Sequence, residues 1–291
     1  MPVDLISLIN VVISGILTGL VYGLMALGLS VIFGVARVVN FTHGETMTLA
    51  MYATVTLFSA LGLTPFIAVL PIALMFFVLG YALQRWIVNP FVTRPDHAQF
   101  MLLLSIAIIL TNGQLMLFGP DARSVRLDSL LESIEVGPLL IDRGKLYAAL
   151  VALGTAAALF GFFRFTRAGT AIRACADNWL GAKVVGLNVN QLYALAFGLG
   201  TLCVAVAGCM MILLIDVTPG IGPGYTLLAF VIVIVGGLGS MSGALVGGIL
   251  IGVSEALAGL FILPSAKSMF SFALLIVVLL LRPRGLLGGY R

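Results

Sequence analysis

The stretch RFTRAGTAIRACADNWLGAKVVGLNVN, Arg164–Asn190, decides how the rest of the chain is read. It carries Arg164, Arg167, Arg173 and Lys183 against Asp177 alone, and apolar runs at 146–163 and 191–215 flank it. A basic segment between two membrane spans is expected to stay in the cytoplasm. Working outward in runs of about 20 mainly apolar residues, the other candidate spans are 8–35, 46–62, 65–83, 99–118, 225–240, 243–262 and 268–281. The expected fold is an all-α polytopic membrane protein of about 8–9 transmembrane helices, because 225–240 is short and ends in glycine. One transmembrane domain is expected over 1–291. Its parts are a first helix group 1–118, a central span 146–163, the basic loop 164–190 and a second helix group 191–291.

Composition agrees. Hydrophobic residues make up 61% of the chain and charged residues 9%, against roughly a quarter charged in soluble domains. The net charge of +4 sits in loops beside the spans. It therefore points to lipid headgroups and cytoplasmic proteins, with no nucleic acid expected. The opening MPVDLISLIN has no Lys or Arg, so the first run reads as a retained span and not as a removed signal peptide. Cys175, Cys203 and Cys209 are odd in number and read as reduced, packed small residues.

With 164–190 inside, the loops 36–45, 84–98 and 282–291 fall inside as well. These four segments hold ten basic residues, including Arg37, Arg85, Arg94, Arg282, Arg284 and Arg291, against five outside: Arg123, Arg126, Arg143, Lys145 and Lys267. Asp121, Asp128, Glu132, Glu135 and Asp142 collect outside. The bias predicts the N-terminus outside and the C-terminus inside. Four spans precede the central one and four follow the basic loop. The first member of each group ends in a glycine-containing break, VVNFTHGE (Val38–Glu45) inside and DVTPGIGPG (Asp216–Gly224) outside. That is the pattern of an inverted repeat, which in transporters sets the substrate path between the halves.

Several chemistries find no support. No G-x-x-x-x-G-K-[ST] surrounds Lys145, Lys183 or Lys267, so the chain has no P-loop of its own. His43 and His97 lack neighbouring ligands at metal spacing, and no metal or cofactor is expected. Gly239-Ser240-Met241-Ser242-Gly243 resembles a nucleophile turn, with His43 on the same side as a conceivable base. Glu255 is the one carboxylate well inside a span. It reads either as facing the bundle interior, hydrogen-bonded to a neighbouring serine or backbone group, or as a proton relay in an ion-coupled carrier.

The breaks are the polar features left over. Asn40, Thr42, His43, Gly44 and Glu45 touch a span end, and Thr42 or Thr46 is placed to cap the second span with Glu45 near its positive end. Pro219, Gly220, Gly222, Pro223 and Gly224 forbid a continuous helix opposite. These residues serve either capping or a translocation pathway; Asn40, Thr42, His43, Gly44, Glu45, Pro219, Gly220 and Gly222 are the pathway set. Gly15, Gly19 and Gly23, and Gly239, Gly243 and Gly247, fall at small-x-x-x-small spacing and read as close helix contacts. The loop Gly119–Lys145 reads as a solvated cap or as a docking surface.

Three stretches resemble the permease subunits of branched-chain amino acid ABC importers, in particular the shorter of the two paired permeases. They are GLVYGLMALGLSVIFGVARVVNFTHGETMTLAMY (19–52), RACADNWLGAKVVGLNVNQLYALAFGLGTLCVAVAG (173–208) and VIVIVGGLGSMSGALVGGILIG (231–252). The resemblance implies a multi-pass protein of the bacterial cytoplasmic (inner) membrane that moves branched-chain amino acids inward. It also implies a second permease subunit, two ATP-binding subunits and a periplasmic solute-binding protein. Urea or short amides are the alternative cargo, and an ion-coupled secondary transporter is the alternative mechanism. The loop that docks into the ATP-binding subunit has the general form E-A-A-x3-G; here Leu180-Gly181-Ala182-x3-Gly186 departs at the first two positions. Thr170 is expected to cap a helix through Ala176, and Asn178 a second helix ending at Gly186. Ala174, Asp177, Asn178, Ala182, Lys183 and Gly186 are the coupling set, with docking expected to rest on small side chains and on the loop's cations.

Overall fold

The computed structural model describes residues 5–92, 94–127, 130, 132–261 and 267–288. Asp128 and Arg291, counted above among the loop charges, lie outside the described residues. The nine expected spans are all helical: α1 (Leu5–Ala36), α2 (His43–Leu61), α3 (Pro65–Ala82), α4 (Asp96–Phe118), α5 (Arg143–Phe165), α8 (Val189–Met211), α9 (Gly222–Gly236), α10 (Met241–Phe261) and α11 (Lys267–Leu281). Two short helices, α6 (Arg167–Asp177) and α7 (Trp179–Val184), fill the basic loop. Among the described residues, seven helices are long and apolar enough to cross a membrane, with Met269–Leu281 a shorter apolar helix. Helix is the form that satisfies each backbone group within its own segment where no water is present.

The described part of the loop between α4 and α5 is more ordered than a solvated cap. Within it β1 (Ser133–Val136) and β2 (Leu139–Asp142) form an antiparallel hairpin, Val136 opposite Leu139. Its two-residue turn holds Gly137 at φ 61°, a conformation glycine adopts without a Cβ penalty. Arg123 pairs with Val217 through two backbone hydrogen bonds of 2.9 and 2.8 Å, which ties this loop to the break after α8.

The core is built around α1, whose residues from Val21 to Ile32 are buried throughout. The two glycine series pack on different partners. Gly15, Gly19 and Gly23 lie against α10, where a Cβ on Gly19 would fall 2.7 Å from the Gly248 carbonyl oxygen. Gly243 and Gly247 instead receive Gly236 and the Ile232 carbonyl of α9. Backbone contact of this kind replaces the hydrophobic driving force that is missing between helices in lipid. Cys175, Cys203 and Cys209 are free and buried. Burial pushes the Cys175 thiol, in α6, above its ordinary pKa.

The loops sort to two ends as their charges suggested. Arg37, Asn89 and Lys183 line one groove, and Arg37, Asp177 and Leu287 line another. Leu286 and Leu287 donate their backbone N–H groups to Val235 and Gly236 at 2.9 Å each. Arg37, the 84–92 segment, the 164–190 segment and residues 282–288 therefore share the end of α1 that carries Ala36. The hairpin lies at the other end, where Leu140 N–H donates to Asn10 Oδ1 (3.1 Å).

Candidate functional site

Two structures stand out: a polar junction buried inside the bundle and a helix–turn–helix at its basic end. The junction begins where α1 stops. Arg37 turns the chain with φ 54°, and the irregular segment Val38–Thr42 doubles back along the helix it has just left. His43 consequently sits with Nε2 2.8 Å from the Met25 carbonyl oxygen. Ala36 is eleven helical steps beyond Met25, so the His43 contact lies roughly 17 Å of helix inside the bundle at a rise of 1.5 Å per residue.

The break after α8 comes to the same place. The sequence reading set the two breaks on opposite faces; instead the first turns of α2 and α9 touch. A Cβ on Gly222 would lie 3.2 Å from Glu45 Cα, and a Cβ on Gly44 would overlap the Gly222 carbonyl oxygen. A re-entrant chain was invisible to a topology count that gives each apolar run a full crossing. Capping is corrected with it: neither Thr42 nor Thr46 caps α2 with its side chain. Thr42 Oγ1 donates to Asn40 Oδ1 (2.7 Å) and Thr46 Oγ1 to the Thr42 carbonyl (2.7 Å). The cap arrives from another helix, since Gly44 N–H donates to Thr226 Oγ1 of α9 at 2.8 Å. Thr226 Oγ1 donates in turn to Glu45 Oε2 (3.1 Å). Glu45 thus places a carboxylate where two helix N-termini converge, the favourable end of each dipole.

Gln114 of α4 closes the network. Its Nε2 donates to the Glu45 carbonyl (3.0 Å) and its Oε1 accepts from Thr48 Oγ1 (2.8 Å). Asn40 Nδ2 and His43 Nδ1 are buried without a hydrogen-bond partner. Of the pathway set, Gly44, Glu45 and Gly222 meet directly, Asn40, Thr42 and His43 flank them, and Pro219 is buried nearby in the turn before α9. Gly220 is exposed, with open space around it. Thr226, Thr48 and Gln114 were missed. Their signal was present: each is a hydrogen-bonding side chain within a predominantly apolar span, where an unpartnered polar group is costly.

At the basic end the helix–turn–helix is formed, with one shifted cap. Thr166, not Thr170, opens α6 by accepting from Gly169 N–H (3.0 Å), because α6 begins a turn earlier than expected. Asn178 caps α7, accepting from Gly181 N–H at 2.9 Å. Gly186 closes it with φ 87°, while Gly186 N–H donates to Lys183 O and Leu187 N–H to Ala182 O. That is the two-bond Schellman ending. We expect Thr166→Ala to cost about 1 kcal/mol, read as faster amide hydrogen exchange over α6 with transport retained.

Gly169, Ile172 and Cys175 bury one face of α6, so Arg173, Ala174 and Asp177 face outward. Asp177, Asn178 and Lys183 line a groove of about 770 Å³ with Arg37 and Asn89. Gly186 is exposed, but Ala182 is only 4% exposed and packs inward. The exposed apolar residues of this segment are larger than expected: Trp179, Leu180, Val184 and Val185.

The two remaining candidates have structural partners. Ser240 Oγ accepts from Gly243 N–H (3.1 Å) at the start of α10. Glu255 Oε1 accepts from Ser271 Oγ of α11 (2.7 Å), the serine contact anticipated for it.

Residues 11–279 match the family model described as "Branched-chain amino acid transport system / permease component". The high-affinity branched-chain amino acid transport system permease protein LivH of Salmonella typhimurium is 30% identical, the match covering 94% of each chain. BraD of Pseudomonas aeruginosa, which carries the same description, is 30% identical over 95% of this chain and 94% of its own. A probable LivH of Methanocaldococcus jannaschii is 25% identical over 91% and 88%. With nearly the whole bundle inside the matched region, the chain belongs to the family of branched-chain amino acid transport permeases.

Proposed function

We propose that this chain is a permease subunit of an ABC importer carrying branched-chain amino acids inward across the bacterial inner membrane. The family match over residues 11–279 carries the reading. Its seven long apolar helices fit a multi-pass membrane protein, and membership of a permease family makes it a transport component. ABC importers work with ATP-binding and solute-binding partners. The finer proposal is a pairing with a second permease subunit around a shared path. The basic end of α1 is read as cytoplasmic, because the arginine-rich loops gather there.

Two features support a division of labour. The helix–turn–helix α6–α7 offers a rigid, capped element to an ATP-binding subunit. The α2–α9 junction supplies paired helix N-termini, a carboxylate and two unpartnered polar atoms within an otherwise apolar interior. Irregular backbone at membrane depth is tolerated where it is enclosed by protein or lines a cavity, so Asn40, Thr42, His43, Gly44, Glu45 and Gly222 are assigned to the path. Motion of α6–α7 would reach that path through α8, which packs along α1 and α2.

The test is reconstitution of the complete transporter in liposomes with its solute-binding protein outside and ATP inside. Leucine, isoleucine or valine should accumulate only with ATP, and excess urea should not compete. Uptake by this chain alone under a proton gradient would overturn the reading, as would ATP-driven uptake of urea in place of the amino acids.

A further inference from the structure

At the hairpin end, α1, α5 and α10 enclose a groove of about 460 Å³ whose lining includes Val11, Ser14, Tyr22, Lys145, Glu255 and Leu260. This lies within the roughly 300–1,000 Å³ range of small-molecule sites. Among the described residues, no ion pair joins its one cation, Lys145, to its one carboxylate, Glu255. Each is held from a different side. Lys145 Nζ donates to Ser14 Oγ of α1 (2.6 Å), and Glu255 Oε1 accepts from Ser271 Oγ of α11 (2.7 Å).

Beside Ser14 and Glu255, α1 and α10 are in direct contact: a Cβ on Gly15 would fall 2.8 Å from Val253 Cα and 2.9 Å from Ala256 Cβ. These two helices form one wall of the groove, and Lys145 reaches it from α5. Opposite charges sharing a partly desolvated groove attract more strongly than in water, and a carboxylate within a span, as Glu255 is, is costly and marks a functional site by default. A solute bearing both charges would satisfy the pair. A urea would satisfy neither, and a simple amine or acid only one.

We propose that this groove is a binding site for the zwitterionic end of an α-amino acid, with Glu255 receiving the ammonium and Lys145 the carboxylate. The apolar side chain would lie against Val11 and Leu260. The proposal rests on the permease reading, under which this end faces outward and meets the solute on arrival. It deepens that reading by assigning recognition to the permease itself.

The test uses the complete purified transporter in nanodiscs, without solute-binding protein or nucleotide, and reads the shift in unfolding midpoint with added solute. Leucine at millimolar concentration should raise the wild-type midpoint, as should 4-methylpentanoate, which has only the carboxylate, and 3-methylbutylamine, which has only the ammonium. Lys145→Gln should lose the response to 4-methylpentanoate and keep that to 3-methylbutylamine; Glu255→Gln should do the reverse. Lys145→Arg and Glu255→Asp should retain both responses. A purely structural role would lower the starting midpoint and leave the analogue pattern alone. The site is overturned if wild type responds to none of the three solutes, or if no charge variant that folds changes the pattern. ATP-driven leucine uptake by the same wild-type preparation is measured in parallel. Uptake with no analogue pattern removes the site and leaves the permease reading; absence of leucine uptake removes the permease reading.

Discussion

Aspartate at both Val184 and Val185, and independently lysine at both, should cut ATP-driven leucine uptake at least tenfold while the bundle stays folded. Val184 is 86% exposed and Val185 76%, so neither substitution opens a cavity. Surface changes of this kind usually move stability by no more than about 0.5 kcal/mol. Together with Trp179 and Leu180 they form an apolar patch beside the charges of Asp177 and Lys183. A large exposed apolar patch rimmed by polar residues marks an interaction surface. Tenfold corresponds to about 1.4 kcal/mol, less than the cost of desolvating an unpaired charge in an interface. Loss with either sign of charge would identify apolar docking, whereas loss with aspartate and retention with lysine would identify attraction to an acidic partner. Co-purification of the ATP-binding subunit should fall in parallel with uptake. Retention of both by the two double variants would show that α7 does not dock.

The same geometry separates this test from less informative ones. A bulky residue at Ala182, which the sequence recommended as a probe of docking, would strike the packed underside of α7 and report on folding. Gly186→Arg forces a side chain into positive φ, at roughly 1–2 kcal/mol of strain, before any partner is considered. The exposed valines carry neither complication.

How much of this was legible in the residues follows from which forces act locally. Each span was readable because about 20 apolar residues have one solution in lipid. The caps at Asn178 and Gly186 were readable because capping is local, and Thr166 was missed only because two threonines lie a turn apart. Charge sorted the loops into two sets that the fold keeps together. The re-entrant path of Val38–Thr42 was not readable, since it depends on contacts between positions far apart, such as His43 with Met25 and Gly44 with Thr226. For the same reason Thr226 and Gln114 looked like isolated polar residues, and Lys145 like a loop charge with no link to Glu255. The two breaks were correctly singled out as functional candidates, but their meeting at one junction required the structure.

Gly44→Ala should take transport to near background and lower the unfolding midpoint. The new Cβ would overlap the Gly222 carbonyl oxygen and lie 2.6 Å from Thr226 N and 2.7 Å from Thr226 Oγ1. Two of these three atoms are backbone, which cannot rotate aside. α2 and α9 would have to part, at an overpacking cost of about 1–3 kcal/mol. Parting them breaks the Gly44 N–H bond to Thr226 and the Thr226 bond to Glu45. Each buried group left unpaired adds about 1–3 kcal/mol. Gly113→Ala is the matched control: Gly113 adjoins Gln114 in α4, yet nothing lies within 4 Å of its added methyl, so uptake and midpoint should be unchanged. Thr226→Val separates sterics from hydrogen bonding, because it keeps the shape while removing the cap from Gly44 N–H and the donor to Glu45. Its loss should be intermediate, and Thr226→Ser should restore most of it. Wild-type uptake in Gly44→Ala would show that the two helix ends are free to separate, and the junction would then have no place in the transport path. A variant that is well folded yet inactive would place the junction's contact inside the transport cycle, since only the cycle would then require α2 and α9 to touch.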